Sequence, residues 1–289
     1  MYYIQETDKP NILFELFNVL QLDNDKIILP IKEKEILDSK KADKLAKRTS
    51  EILKKTGTKS VVLSKTLKLQ KEYVGKLNKY GIEIIDGRWL FGVISSKVLE
   101  YVVKKKELKK EETNVSILVK DNNKDYIIEN IKDIIRTYKS VNIVTTHIEK
   151  FKKIEEDVLK KEGIMITVTN NKKKSLMKAN IILNIDFPEE EINKYNIPDE
   201  AIIINIKEKV KIYKKRFNGL NINDYEISFK DYEKFDYDKS NYYFQKDIYE
   251  AELYKNQPYE YIERKINKDK VEIIKLVGNK TILWFLKFL

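Results

Sequence analysis

The sequence predicts an α/β protein made of two α/β domains, the second a doubly wound parallel sheet, followed by a Tyr-rich C-terminal extension. Three observations lead there. The strand candidates are continuous apolar runs such as "SVVLSK" and "AIIINIKE" rather than alternating ones, as expected of strands buried on both faces. Amphipathic helix patterns separate them, so neighbouring strands are joined by crossovers and run parallel. Finally, 42% hydrophobic residues over 289 positions supply enough apolar surface for two packed cores.

The elements follow in order. "YYIQ" reads as a short strand, and "PNILFELFNVLQL" as a helix with Pro10 at its first position. "KIILPI" is an apolar strand. "KADKLAKRTSEILKKTG" places Ala42, Leu45, Ala46, Ile52 and Leu53 on one helical face and stops at Gly57. The strand "SVVLSK", a helix through "LKLQKEYVGKLNKYG" closing at Gly81, and the strand "IEIID" complete the first series. A connecting helix through "DGRWLFGVISSKVLEYVVKKK" leads to a boundary near Thr113, with Gly87, Trp89 and Gly92 as a candidate hinge. The domains expected are thus 1–112, 113–228 and 229–289.

The second series is clearer. "VSILVKD", "VNIVTTH", "IMITVTNN", "NIILNID" and "AIIINIKE" are strands. "DYIIENIKDIIRTY" repeats Ile127, Ile128, Ile131, Ile134, Ile135 and Tyr138 at helical spacing, and "IEKFKKIEEDVLKKEG" is a helix ending at Gly163. "KKKSLMKA" and "PEEEINKY" read as short helices. With right-handed crossovers these strands form a doubly wound sheet. From about Phe229 the chain turns dense in tyrosine and acid without a clean period. "VEIIKLVGN" and "TILWFLKFL" are apolar again, as expected of segments that pack back onto the body.

Composition excludes several classes. With no cysteine there are no disulfides, thiolate metal sites or cysteine nucleophiles. His147 is the only histidine, so no multi-histidine metal site forms within one chain, and the expectation is no metal. The first ten residues lack a secretory pattern and no apolar run approaches a membrane span, so a cytoplasmic protein without membrane association is expected. The net charge of +11 invites a nucleic-acid reading. Only five of the 57 basic residues are arginine, and the lysines alternate with glutamates as on solvated helix faces, so nucleic acid ranks third among the partners. "DYDKSN" departs from a calcium loop, because Asn241 stands where glycine and Asp247 where a bidentate glutamate is required.

In an open α/β sheet, ligands sit at the carboxyl ends of the strands. After the strand ending at Thr145, a dinucleotide fold would run G-x-G-x-x-G, whereas the turn here is "TTHIEKF". Thr145, Thr146 and the first helical N–H groups can still hold an anion; the plainer reading is a capped turn with Thr146 as N-cap. The next strand ends in "TNNKKKS", where Asn170, Asn171 and Lys172 suit a ribose 2′-phosphate and so NADP; the same residues also read as a polar turn. His147 and Asp186, both at strand ends, are the candidate catalytic groups.

From about 141 to 227 the order of elements resembles the NAD(P)-binding Rossmann domain of the glutamyl-tRNA reductase and shikimate dehydrogenase superfamily. "ITVTNNKKKSLMKA" sits where that group has a strand, an Asn-Arg-Thr turn and a helix, and "ANIILNIDFP" resembles its strand leading to the nicotinamide-side loop. The resemblance implies a Rossmann-like, NAD(P)-binding type of domain. The chain departs from it in lacking the glycine loop, in carrying Asn171 where arginine is expected, and in having no cysteine or shikimate-type Lys–Asp pair. Three readings stay open: a Rossmann-like protein that binds a small ligand or a protein partner without dehydrogenase chemistry and with no cofactor, an NADP-dependent oxidoreductase with an atypical phosphate loop, or, third, a lysine-rich nucleic-acid-binding protein.

Overall fold

The structure, a computed structural model, describes residues 1–7, 9, 11–33, 35–121, 124–229, 241–254 and 268–279. Pro10, the stretch 230–240 that holds most of the calcium-like loop, much of the Tyr-rich segment and "TILWFLKFL" lie outside them. The chain divides into two compact α/β units, one of residues 1–87 and 231–266, the other of 88–230 and 267–289.

The first unit holds a five-stranded sheet in the order β2-β3-β1-β4-β5, built from β1 (Tyr2–Glu6), β2 (Gln21–Asp23), β3 (Lys26–Leu29), β4 (Ser60–Leu63) and β5 (Glu83–Ile85). All neighbours are parallel except the β2–β3 hairpin. One face packs on α2 (Ser39–Lys55) and α3 (Lys71–Lys79) through Leu45, Leu53, Tyr73 and Leu77. Asp38 starts α2 by accepting the backbone N–H groups of Lys40 and Lys41, and Gly57, at φ +68°, follows its end as the sequence indicates. The other face, with Tyr3, Val62 and Ile85, is covered by Tyr243 and by Ile248 and Ala251 of a helix at Gln245–Tyr254. The Tyr-rich segment therefore supplies part of this core.

The helix expected over residues 10–22 is shorter than its apolar pattern. The helix α1 is six residues long, Ile12–Phe17, capped by Asn11 and stopped by Asn18 at φ 49°. Residues 21–23 are strand, because the left-handed Asn18 ends the helix and the turn at Asn24–Asp25 closes a hairpin.

The second unit is a Rossmann-like doubly wound sheet of seven strands in the order β12-β11-β10-β9-β6-β7-β8. Its strands are β6 (Asn114–Leu118), β7 (Ser140–Val144), β8 (Thr167–Thr169), β9 (Ile181–Asn184), β10 (Ile202–Asn205), β11 (Leu220–Phe229) and β12 (Val271–Gly278). Only β12 runs antiparallel to its neighbour. The crossover helices include α6 (Asp125–Thr137), α7 (Ile148–Glu162) and α8 (Glu189–Ile192). "KKKSLMKA" forms successive turns rather than a helix: Ser175 N–H reaches Asn171 O, but Met177 and Ala179 bond three residues back, so no helical ladder forms.

Residues 88–112 belong with this second unit. The helices α4 (Arg88–Val93) and α5 (Ser95–Lys105) pack on α6, where the buried Asn130 side chain accepts from Ser96 Oγ and donates to the carbonyls of Val93 and Tyr126. Phe91 stacks on Tyr225 at 4.4 Å, and Trp89 is buried. Gly92 is a contact glycine, since an added Cβ would lie 2.9 Å from Tyr126 Cε2. Gly92→Ala is expected to cost about 1–3 kcal/mol of stability by overpacking; an unchanged urea midpoint would show that the helix yields instead.

Candidate functional site

The strand order of the second sheet reverses between β6 and β9, which places the ligand crevice of a doubly wound fold at their carboxyl ends. It also makes β6 the first strand of the fold. The segment that a dinucleotide fold runs glycine-rich is therefore the one that follows β6 in sequence, "VKDNNK", and the strand end that meets a ribose is that of β7. Sequence reading of the turns sets this frame one strand late, because order in the sheet is not written in order along the chain. Residues 119–124 hold no glycine either.

At the reversal point a carboxylate of the protein itself meets the backbone beyond β6. The Asp186 carboxylate, just beyond β9 and largely buried, accepts the backbone N–H of Lys120 at 2.6 Å and of Asp121 at 2.8 Å. They are the second and third amides after β6, in the segment where a dinucleotide fold places its pyrophosphate. An internal carboxylate there satisfies them and sets a negative charge where an anionic ligand would come. The Lys120 ammonium is drawn off to Glu191 at 3.0 Å, whose hydrogen bond and charge hold its pKa above the ordinary lysine value.

The β9–β11 half of the edge is bonded internally as well, through asparagine. Asn184 accepts from Phe187 N–H and donates to Asn205 Oδ1, and Asn205 Nδ2 reaches Asn221 Oδ1 and Asn223 Oδ1. The Arg88 guanidinium donates to the carbonyls of Asn205, Ile206 and Asn223. These side chains satisfy backbone groups at the ends of the sheet, as a buried polar network must.

The open part lies over β6, β7 and β8. A cavity of 530 Å³ is lined by Asp121, Thr146, His147, Ile148, Glu149, Lys150 and Asn170, at the N-terminus of α7. His147 Nε2 lies 3.1 Å from Asp121 Oδ1, an orienting pair that, with Nε2–H donating, leaves Nδ1 as an acceptor. Lys150 Nζ donates to the Asp121 carbonyl at 3.1 Å. The set offers an acceptor, an amide, an ammonium and helical N–H groups, which suits a small polar ligand and supplies the parts for a proton transfer.

The sequence-derived candidates separate. Thr146, His147 and Asn170 meet at this cavity. Thr145 is fully buried beneath it, with Oγ1 accepting the His147 N–H; the N-cap of α7 is His147 and not Thr146. Asn171 is spent locally, its Oδ1 accepting the N–H groups of Lys173 and Lys174. Lys172 is exposed, with its carbonyl accepting from Asn196. Asp186 sits at the crevice, bonded to the two amides. Asp121 and Lys150 are missed by sequence reading; the only signal for Asp121 is an acid following an apolar strand. Among the described residues, no group of three or more acids or histidines could hold a metal ion, and no helix is long and apolar enough to cross a membrane.

No family model matches the chain, and no curated protein matches it. Solved structures similar to it include L-tryptophan dehydrogenase from Nostoc punctiforme, at 6% identity and a TM-score of 0.32 over 66% of this chain and 54% of that one. A putative malic enzyme (malate oxidoreductase) shows 14% identity and a TM-score of 0.28 over 70% and 58%. The ornithine carbamoyltransferase from Pyrococcus furiosus shows 12% and 0.29 over 74% and 73%. The chain spans little more than half the length of the first two.

Proposed function

We propose that this protein binds a small polar ligand, of nucleoside size or smaller, in the cavity beside His147 and Asp121, and does not hold a dinucleotide across the sheet. The observation that carries the reading is the Asp186 carboxylate on the Lys120 and Asp121 amides, because it occupies the place a pyrophosphate needs. A cavity of 530 Å³ lies within the range of small-ligand pockets. It also lies at the end of β7, on the side of the reversal point where a dinucleotide fold keeps its ribose.

Calorimetric titration with adenosine, AMP, NADP and NADPH tests it. Neither dinucleotide is expected to bind at millimolar concentration. A small ligand taken up by the wild type should bind about tenfold more weakly to His147→Ala, the loss of one hydrogen bond in the site. The oxidoreductase reading rests on Asn170 at the cavity wall. It replaces this one if NADPH binds and the double change Asn170→Asp with Lys172→Glu removes the binding.

A further inference from the structure

The first unit carries an apolar face that nothing in the described chain covers. Ile12, Leu13, Leu16, Phe17, Val19 and Leu22 are between 38% and 80% exposed, and no residue of α1 is buried. Positions 12, 13, 16 and 17 form one stripe of α1. Val19 N–H bonds back to Phe14 O at the end of the helix, a short turn before the strand β2. The Arg48 guanidinium donates to the carbonyls of Phe17 and Asn18 and fixes the end of the helix. With large side chains exposing roughly 150–200 Å² each when free, these exposures amount to about 550–730 Å² of mostly apolar surface. Isolated soluble domains rarely leave so much uncovered, and a standard interface takes about 800 Å² from each partner.

Charge narrows what can cover it. Residues 10–25 contain no lysine or arginine, in a chain where 57 of 289 residues are basic, and they include Glu15, Asp23 and Asp25. An anionic lipid surface calls for a cation-rich rim to an amphipathic helix, whereas α1 and β2 themselves carry only the acids Glu15 and Asp23. The strand β2 then points to the occupant. It is an edge strand, paired with β3 alone in the register Asp23↔Lys26, Leu22↔Ile27 and Gln21↔Ile28. The two-residue turn makes Asp23↔Lys26 a hydrogen-bonded pair, so the alternation of an antiparallel ladder turns the N–H and C=O of Leu22 outward.

We propose that a second copy of this chain covers the face, forming a two-fold dimer in which β2 pairs antiparallel with β2 of the other copy about Leu22. Leu22 then exchanges two backbone hydrogen bonds with its own counterpart. Gln21 stands opposite Asp23 of the second copy, an amide facing a carboxylate, so no two acids oppose each other. The α1 stripes close over the joined strands. Such a contact is self-complementary, as a two-fold interface must be, and it removes an open strand edge.

The absence of cysteine makes the test direct. Counterparts in a hydrogen-bonded pair lie about 5.5 Å apart at Cα, within disulfide range. The full chain with Leu22→Cys should form a disulfide dimer on mild oxidation, whereas Met165→Cys, more exposed but on the other unit, should not. Sedimentation of the wild type at micromolar concentration should give twice the 34.4 kDa chain mass, and Leu16→Glu with Phe17→Glu should halve it with the far-UV spectrum unchanged. A monomeric wild type overturns the proposal, as does a dimer that survives the double glutamate change or fails to cross-link through Leu22→Cys.

Discussion

Asp186→Ala is expected to lower the unfolding free energy by about 1–3 kcal/mol, because it removes the charged acceptor of two part-buried amides. In the wild type the carboxylate accepts the N–H of Lys120 at 2.6 Å and of Asp121 at 2.8 Å. Asp186→Asn keeps one acceptor oxygen and should lose about half as much. The same change opens the two amides to solvent beside α6. Inorganic phosphate should therefore stabilise Asp186→Ala against urea by more than it stabilises the wild type, an effect that follows mass action. If phosphate acts on both proteins equally, Asp186 does not block the anion position, and the case against a dinucleotide loses its support.

The second large effect is a pH dependence set by Asp247. Its side chain is fully buried at the start of the helix Gln245–Tyr254, and burial pushes its pKa up from 3.8 to about 6. The charges of Lys68, which is hydrogen-bonded to Oδ2, and of Lys246 work against that rise, and Asp86 adds to it. Oδ1 is buried without a hydrogen-bond partner. The folded state therefore binds the proton more tightly than the unfolded chain does. The stability contributed by the protonated carboxyl is fully present below about 3.8 and is lost as pH rises through about 6. A shift of this size corresponds to about 3 kcal/mol at most. The unfolding free energy of the wild type minus that of Asp247→Asn should thus increase by up to about 3 kcal/mol as pH falls from neutrality to about 4. A difference independent of pH, or one that shrinks on acidification, would mean that the Lys68 ion pair dominates and the carboxylate is held ionised.

Much of the fold is legible in the sequence. Apolar runs such as Ile181–Asn184 and Ile202–Asn205, short and rich in β-branched residues, read as strands buried on both faces, and the structure buries every residue in each. The helix stops at Gly57 and Gly163 are legible because the left-handed turn there suits a residue without Cβ. Elements whose local signal competes with tertiary context are not. Val19–Leu22 continues a helical apolar period, yet Gln21–Asp23 is strand, because a hairpin partner offers its backbone groups a ladder. "KKKSLMKA" has good helix formers but spans a tight link between β8 and β9, so it closes in separate turns.

The site is legible in its residues and not in their roles. Thr146, His147 and Asn170 follow successive strands, so an argument from strand ends alone brings them to one edge, and they line one cavity. Asn171 looks equally suited to a ligand, yet its side chain caps its own turn, as a short polar side chain does whenever the following N–H groups are free.

By itself, the sequence determined the class of this protein: parallel strands between amphipathic helices, no thiol chemistry, one histidine, and no glycine loop in any strand–helix turn. Only the tertiary structure decided that β6 is the central first strand, that Asp186 lies over the amides after it, and that Asp121 stands beside His147. The physical reason is separation along the chain. Periodicity records which side of an element is buried, whereas 26 residues separate Asp121 from His147 and 65 separate it from Asp186. Pairings over such distances are fixed by the order and register of the strands that carry them.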